Sequence, residues 1–143
     1  MSDKMIEHIN NYKIFYSDAQ TIVNFVSLDA HMETQLQMCY AERYPRMQSV
    51  FLHRIEDKTF TPGKLLLIHE SDHKILMLPI KYSVDDDISL ELLYLGLQKF
   101  KDTYKEKCIT SIVFPDPYSQ ELRDCIEEEL KDIKDIKIEY LWR

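Results

Sequence analysis

Glycine is almost absent from this sequence. Only two of the 143 residues are glycine. Gly63 lies in the turn-forming stretch TPGK, and Gly96 lies inside a helical pattern. Loops that cradle phosphates, of the G-x-G-x-x-G and Walker types, need several glycines for their tight turns and close backbone approach. The sequence therefore excludes nucleotide binding by an ordinary glycine-rich loop.

Cysteine pairs and long apolar runs are also missing. Cys39, Cys108 and Cys125 form an odd set without a C-x-x-C pair, which indicates neither a disulfide framework nor a zinc ribbon. No apolar run approaches the roughly 18 residues that cross a bilayer, and the N-terminus lacks the apolar core of a signal peptide. We predict a cytoplasmic protein with free thiols and no membrane association.

The sequence also has no excess of positive charge. Lys and Arg number 18 against 25 Asp and Glu, which gives a formal net charge of −7. A protein that reads a nucleic-acid backbone needs clustered cations to displace counterions, and here the cations are scattered among acids. We predict no direct binding to nucleic acid.

What the sequence does contain is an alternation of strand and helix patterns. The predicted strands are the opening stretches MIEHI and KIFY, the β-branched run TIVNFV, a hairpin formed by KLLLIHE and HKILMLPIKY, and the later runs CITSIVF and IKIEYLW. The predicted helices are a segment from about His31 to the Tyr44-Pro45 pair, the stretch DDDISLELLYLGLQKFKDTY, and the stretch SQELRDCIEEELKDI. A polar connection is expected after Pro45, and Asp85, Asp86 and Asp87 are expected to cap the second helix.

This order of elements predicts one α/β domain over residues 1–143, with a mixed central sheet and helices on both faces. With 45% hydrophobic and 30% charged residues, the chain has the composition of a soluble globular domain. Such sheets bind ligands at the carboxyl ends of their strands, here the corners after Val26, Pro79 and Phe114.

Four stretches in succession resemble a macro domain, and most of all the macro domains that act as antitoxins by removing ADP-ribose from nucleic acid. They are IVNFVSLDAHMETQLQMCYAERYP, TPGKLLLIHESDHKILMLPIKY, LYLGLQKFKDTYKEKCITSIVFPDP and CIEEELKDIKDIKIEYLW. The first matches the family stretch that begins V-N-x-V-N, and the second matches its P-G-K turn and its strand ending in P-T-K. The resemblance implies a single macro-domain-like fold and an ADP-ribose pocket.

The departures from the family pattern fall on ligand contacts. The first-strand Asp that holds the adenine falls at Lys13, and the second Asn of V-N-x-V-N is Ser27. The three glycines of the first loop fall at Ala30, Glu33 and Gln35. The glycine-rich second loop of the family is missing, because the strand ending at Phe114 is followed at once by PDP.

Acidic residues stand where the family holds phosphates. We predict that Asp116 is the N-cap of the last helix, with Pro117 at its first position, so that the positive helix end receives a carboxylate of the protein itself. Asp29 is expected to do the same for the helix near Ala30, with Glu33 in its first turn. These carboxylates should oppose ADP-ribose binding by several kcal/mol.

Two residues of the family site remain. Asn24 matches the first Asn of the family motif, and its alternative interpretation is a polar residue that caps the end of a strand. Lys81 matches the basic residue that the resemblance implicates at the sugar C1, which makes it the one candidate catalytic residue. Its alternative interpretation is a solvated surface lysine. Asn24, Ser27, Lys81 and Asp116 form the candidate ligand-binding set.

The stretch HESDH fits the zinc-peptidase pattern H-E-x-x-H, but that chemistry requires a helix. The flanking runs KLLLI and KILML lack helical periodicity, so a strand-turn-strand structure is predicted, with His69 and His73 on opposite faces. We predict no metal site and no cofactor.

Two functions stay open. The first is a non-catalytic interaction protein with a degenerate ADP-ribose pocket and a protein partner, similar to accessory proteins with which T4-like phages contact host factors. The second is an ADP-ribose-binding module or ADP-ribosyl hydrolase with a remodelled pocket. Fold analogy favours the second function and the residues of the site favour the first.

Overall fold

The computed structural model describes residues 10–143. After a 3-10 helix at Lys13–Tyr16, the strands are β1 (Thr21–Ser27), β2 (Leu66–His69), β3 (Lys74–Lys81), β4 (Ser111–Phe114) and β5 (Lys137–Tyr140). The helices are α1 (Gln35–Arg43), α2 (Pro45–Glu56), α3 (Leu90–Thr103) and α4 (Gln120–Leu130). None of these helices is both long and apolar enough to cross a membrane.

The five strands form one mixed sheet in the order β2-β3-β1-β4-β5. β3, β1, β4 and β5 run parallel, and β2 pairs antiparallel with β3. β1 pairs with β3 along its whole length but with β4 only at Thr21 and Ile22. The carboxyl half of β1 therefore lacks a strand partner on its β4 side.

Helices cover both faces of the sheet, as the sequence predicts. Ile22 and Val26 of β1 pack in the cluster that holds the buried residues of α1 and α2. Val23 and Phe25 point the other way, into the cluster that holds the buried residues of α3 and α4. Both faces of β1 are buried, which explains why the residues between Thr21 and Ser27 are all apolar except Asn24.

The opening strand prediction is wrong for KIFY. Lys13–Tyr16 forms a 3-10 helix, in which Ile14 and Phe15 are buried. The stretch MIEHI lies outside the described residues.

The helix expected from about His31 begins later, at Gln35, because Thr34 and Gln37 form a capping box there. The polar connection expected after Pro45 is also wrong. Pro45 ends α1 but occupies the first turn of α2, where its missing N–H costs nothing. The aromatic-Pro pair is thus a corner between two helices.

Serine residues cap the last two helices, in place of the aspartates that the sequence suggested. Ser89 accepts a hydrogen bond from the Leu92 N–H at the start of α3, so Asp85, Asp86 and Asp87 lie ahead of the cap. Ser119 accepts from the Leu122 N–H at the start of α4. Asp116 is therefore not the N-cap of α4, and Pro117 is not its first residue.

Candidate functional site

A cavity of about 190 Å³ lies at the carboxyl ends of β1 and β3, beside the segment that follows β4. This edge is where parallel α/β sheets bind ligands, and it is the edge that the sequence predicted. Asn24, Lys81 and Asp116 line the cavity, together with Asn11 and the residues at the start of α1. Three of the four candidate binding residues are thus brought together.

Ser27 and Lys13 are not part of this cavity. Ser27 is only 2% exposed at the end of β1, and its carbonyl accepts a hydrogen bond from the Ala30 N–H. Lys13 is exposed on the 3-10 helix. Asn11 lines the cavity from the segment just before that helix, two residues from where the resemblance puts the adenine-binding Asp.

Asn24 has an unsatisfied polar atom. The side chain is 3% exposed, and its Nδ2 donates a long hydrogen bond of 3.9 Å to the sulfur of Met77. Its Oδ1 is the one buried side-chain oxygen or nitrogen in residues 10–143 with no hydrogen-bond partner. Buried polar atoms are nearly always paired, so an unpaired one in a cavity wall marks a position that a ligand donor could satisfy.

Lys81 is held by an acid from the neighbouring loop. Its Nζ lies 2.8 Å from Glu33 Oε1 and donates a 3.3 Å hydrogen bond to the carbonyl of Val84. The Lys81 side chain is 14% exposed, so the interpretation as a solvated surface lysine is wrong. Glu33 forms this pair just ahead of α1 instead of lying in the first turn of that helix.

Gln37 bonds to the loop in which the resemblance places the first glycines of the family. Its Oε1 accepts hydrogen bonds from the backbone N–H groups of Glu33 (2.7 Å) and Thr34 (3.1 Å). Its Nε2 donates to the carbonyl of Phe25, 2.9 Å away, on the half of β1 that lacks a second strand partner. The Gln37 side-chain amide therefore pairs with two N–H donors of the loop and with one carbonyl on the half of β1 that β4 does not cover.

A second side chain from α1 also forms a hydrogen bond with the β1 backbone. The Tyr40 hydroxyl donates to the carbonyl of Val23 at 2.7 Å, and the side chain is fully buried. Burial raises the pKa of Tyr40 well above its ordinary value of 10.0, which keeps the hydroxyl protonated as a donor. Tyr40 and Gln37 thus link β1 to α1 along the floor of the site.

Asp29 ties two loops together and does not cap α1. Its carboxylate accepts hydrogen bonds from the backbone N–H groups of Val84 (2.9 Å) and His31 (3.0 Å). Desolvation would raise the pKa of Asp29, but these hydrogen bonds outweigh it and hold the pKa below its ordinary value of 3.8. The predicted role of Asp29 at a helix end is wrong because α1 begins six residues later.

The corner after β4 is closed by side-chain contacts. Arg123 from α4 forms a two-pronged ion pair with Asp116, with nitrogen–oxygen distances of 2.7 and 2.8 Å. The Asn11 side chain accepts from the Asp116 N–H at 2.8 Å and donates to its carbonyl at 3.0 Å. The Tyr118 N–H donates to Asp116 Oδ1 at 2.9 Å, so the carboxylate folds its own loop instead of capping α4.

Two turns at this site keep a glycine-like backbone without glycine. Ala30 has a φ angle of 66° and Tyr118 a φ angle of 55°. The left-handed region costs an ordinary residue about 1 kcal/mol. Ala30 is one of the three positions where the resemblance places a glycine, and its left-handed φ angle is one that glycine adopts without strain.

The metal-peptidase pattern falls in a hairpin, as predicted. His69 ends β2 and is exposed, whereas His73 is 7% exposed with its Nε2 2.9 Å from the carbonyl of Ser17. Within residues 10–143, no three His, Cys, Asp or Glu side chains are grouped as metal ligands. HESDH is therefore a structural turn.

No family model and no curated protein matches the sequence. Solved structures do match. The macrodomain of Thermus aquaticus DarG superposes with a TM-score of 0.78 at 15% identity, over 89% of this chain and 91% of that one. The chain has the macrodomain fold.

Two further structures support the macrodomain fold. The macrodomain of Mycobacterium tuberculosis DarG superposes with a TM-score of 0.79 at 17% identity, covering 89% of this chain and 91% of that one. Thermosipho africanus DarTG, solved in complex with ADP-ribose, gives a TM-score of 0.80 at 18% identity, covering 89% of this chain and 39% of that one.

The macrodomain site contains three residues that sequence reasoning did not select: Asn11, Gln37 and Arg123. Gln37 carried a readable signal, because Thr34-x-x-Gln37 is a capping-box pattern. Asn11 carried none, since it contacts Asp116 across 105 residues of chain. Arg123 lies seven residues after its partner Asp116, a separation that would equal two helical turns. The helix begins only at Gln120, between the two residues, so this separation did not indicate a contact.

Proposed function

We propose that this chain is a non-catalytic binding protein on a macrodomain fold, with an ADP-ribose pocket that its own side chains close. The observation that carries the proposal is the position of Gln37. Its amide oxygen accepts from the Glu33 and Thr34 N–H groups, at the start of α1 where a diphosphate would need free donors. A phosphate could bind there only by displacing a buried amide that also holds Phe25.

The second phosphate-holding position is equally short of donors. Pro115 and Pro117 have no N–H, and the N–H groups of Asp116 and Tyr118 donate to side chains of the protein. The glycine-rich nest of the family is therefore replaced by a segment whose backbone bonds are internal. This arrangement supports a closed pocket.

Size and charge act in the same direction. A volume of about 190 Å³ is smaller than the roughly 300–1,000 Å³ of pockets that enclose drug-sized ligands. Glu33 and Asp116 place carboxylates in the cavity wall, and their cations Lys81 and Arg123 are already paired with them. An anionic sugar nucleotide would have to separate those pairs.

A protein partner fits the rim of the cavity better than a nucleotide fits its interior. Ile88 and Tyr118 line the cavity, and each is 38% exposed. Met32 is 41% exposed on the loop before α1, and Tyr82, next to Lys81, is 46% exposed. Exposed apolar and aromatic side chains of this kind are typical of protein interfaces. Contact with host proteins of a T4-like phage is one setting in which such a rim would act.

Thermal unfolding with millimolar ADP-ribose tests the closed pocket. A ligand at a hundred times its Kd stabilises a protein by about 2.7 kcal/mol, whereas we expect no shift for this chain. Thermosipho africanus DarTG, solved with ADP-ribose, is the positive control. A clear upward shift for the wild type, lost in Lys81→Ala, would contradict the proposal.

A pull-down from bacterial lysate tests the partner. The wild type should retain a protein that the rim variant Tyr118→Asp does not retain, while Tyr16→Asp, a change at an exposed tyrosine outside the cavity lining, should behave as the wild type. Equal retention by all three proteins would count against the rim as the interface.

The second candidate function is an ADP-ribose module or hydrolase that uses a remodelled pocket. The unpartnered Oδ1 of Asn24 favours it, because this atom and Lys81 both belong to the cavity wall. The test is release of ADP-ribose from a modified oligonucleotide by the wild type, Lys81→Ala and, as control, Lys74→Ala. Release that only Lys81→Ala abolishes would establish this function in place of the first.

A further inference from the structure

Within residues 10–143, the edge of the sheet at β2 presents backbone groups that no other strand covers. In this part of the chain, β2 is the outermost strand and pairs only with β3. The Glu70 N–H donates to the His73 carbonyl at the hairpin turn, which makes these two residues a hydrogen-bonded pair. Hydrogen-bonded and non-hydrogen-bonded pairs alternate along an antiparallel ladder, so the backbone N–H and C=O of Ile68 also point toward β3. The backbone groups of Leu67 and His69 face outward, where Arg46 contacts the His69 carbonyl at 3.0 Å.

Proteins block an edge strand by keeping it short or by placing lysine, proline or a bulge on it. β2 is short, with four residues, but has none of the other three features. The sequence of β2 is LLIH, and its pairing with β3 runs through four consecutive residues without a shift. The charged residues near this edge come instead from the flanking segments.

A groove of about 550 Å³ runs along this edge. Its floor is formed by the residues around β2, and its walls come from the end of α2 and the segment after α3. Three cations line it, namely Arg54, Lys74 and Lys107, against the single carboxylate of Glu106. A chain with a net charge of −7 therefore has a positive groove at this edge.

The three cations are not used in ion pairs of the protein itself. None of the ion pairs found in residues 10–143 involves Arg54, Lys74 or Lys107. The Lys74 ammonium makes only long hydrogen bonds of 3.4 Å within the described residues, to the carbonyls of Lys107 and Cys108. The groove thus combines outward strand donors and acceptors with cations that form no ion pair within residues 10–143.

We propose that this groove binds an acidic, extended peptide segment of a partner protein, which adds to β2 as a further strand. Main-chain hydrogen bonds to the Leu67 backbone and to the His69 N–H would give the affinity, and carboxylates of the peptide would pair with Arg54, Lys74 and Lys107. A nucleic acid matches the cations but not the strand edge. The groove lies along β2, away from the closed cavity of the proposed function, so each proposal can fail without the other.

The binding test uses a fluorescein-labelled (Val-Asp)₄ peptide, read by fluorescence anisotropy with the full chain. We expect saturable binding that weakens as salt is raised, and no binding of a (Val-Lys)₄ peptide under the same conditions. Equal binding of both peptides, or binding of neither, overturns the proposal. So does binding of a labelled oligo-dT in preference to (Val-Asp)₄.

Charge variants test the cations. The double variant Arg54→Glu plus Lys107→Glu should weaken (Val-Asp)₄ binding at least about tenfold, as expected when two favourable charges become unfavourable near a protein surface. The matched control, Lys99→Glu plus Lys134→Glu, changes the net charge equally at exposed positions outside the groove. An equal loss in the control overturns the proposed role of the groove.

Backbone pairing is tested in two ways. Leu67→Pro removes an outward N–H and should abolish peptide binding. If that variant does not fold, hydrogen exchange of the wild type gives the answer, because the Leu67 and His69 amides should become protected when (Val-Asp)₄ is bound. Binding without that protection overturns strand addition, and a dimer in sedimentation that excludes the peptide identifies a second copy as the occupant instead.

Discussion

The cavity at the carboxyl ends of β1 and β3 and the groove along β2 belong to one sheet, but they differ in how their polar groups are paired. In the cavity, donors and charges are paired internally: Gln37 holds two loop N–H groups, and Lys81 is bound to Glu33. In the groove, the Leu67 backbone faces outward, and Arg54 forms no ion pair within residues 10–143. Both proposals therefore place binding on the surface of the protein and not inside the cavity.

Removing the Gln37 amide should have the largest effect. We expect Gln37→Ala to lower the free energy of unfolding by about 2–4 kcal/mol, because it leaves the buried Phe25 carbonyl unpaired and removes the capping interactions at α1. Urea denaturation measures the change. The exposed Gln35, on the same helix, is the control, and a loss as small as that of Gln35→Ala would show that Gln37 does not close the site.

Asp29→Asn should lower the free energy of unfolding by about 1–2 kcal/mol at neutral pH, since Asp29 accepts two backbone hydrogen bonds as a carboxylate. Its pKa in the folded protein is lowered from 3.8. The contribution of the Asp29 carboxylate to stability is therefore complete above pH 3.8, and it is lost as the pH falls through the lower pKa of the folded protein. Urea denaturation across this range should show the difference between wild type and variant narrowing in acid.

The control for Asp29 is Asp102→Asn, a change at an exposed position on α3. It should stay within about 0.5 kcal/mol of the wild type at every pH. A penalty for Asp29→Asn that does not change between neutral and acidic pH would rule out the carboxylate as its source.

Asn24→Leu should stabilise the protein by about 1 kcal/mol, because it removes the unpaired Oδ1 and places apolar atoms beside the cavity. Asn11→Leu is the matched comparison. Asn11 is 2% exposed with both amide atoms bonded to the Asp116 backbone, so its replacement should destabilise. Thermal and chemical unfolding measure both changes, and destabilisation by Asn24→Leu would mean that its amide has a structural role.

The groove cations should have the smallest effect on stability. Replacing Arg54 and Lys107 together by Ala should change the free energy of unfolding by less than about 0.5 kcal/mol, since neither residue forms an ion pair in the described chain. The same urea measurement applies. A loss comparable to that of Gln37→Ala would show that these cations support the fold and would remove the contrast between the two regions.

Most of the fold could be predicted from the sequence because apolar periodicity marks buried strands and amphipathic helices. β1, the hairpin, α3, β4, α4 and β5 all lie where their patterns predicted them. The helix Pro45–Glu56 was missed because Pro45 was interpreted only as the end of a helix. Its buried residues Met47 and Phe51 stand four apart, which is helical spacing.

The site was predictable in its position and not in its contacts. Asn24, Lys81 and Asp116 do line one cavity, because the corners of parallel strands meet at one edge. The Asp-Pro sequence suggested a helix start, but Arg123 and the Tyr118 N–H bind the carboxylate, which leaves the cap to Ser119. Pairing of this kind depends on the three-dimensional packing of segments that the sequence separates.

Isothermal titration of the wild-type chain with ADP-ribose tests the central claim most directly. Because the loop donors, Lys81 and Arg123 are already bound within the protein, we expect no heat of binding up to millimolar ligand. Saturable binding at micromolar concentration, with the diphosphate seated at Thr34 and Asp116 in a crystal of the complex, would contradict the account.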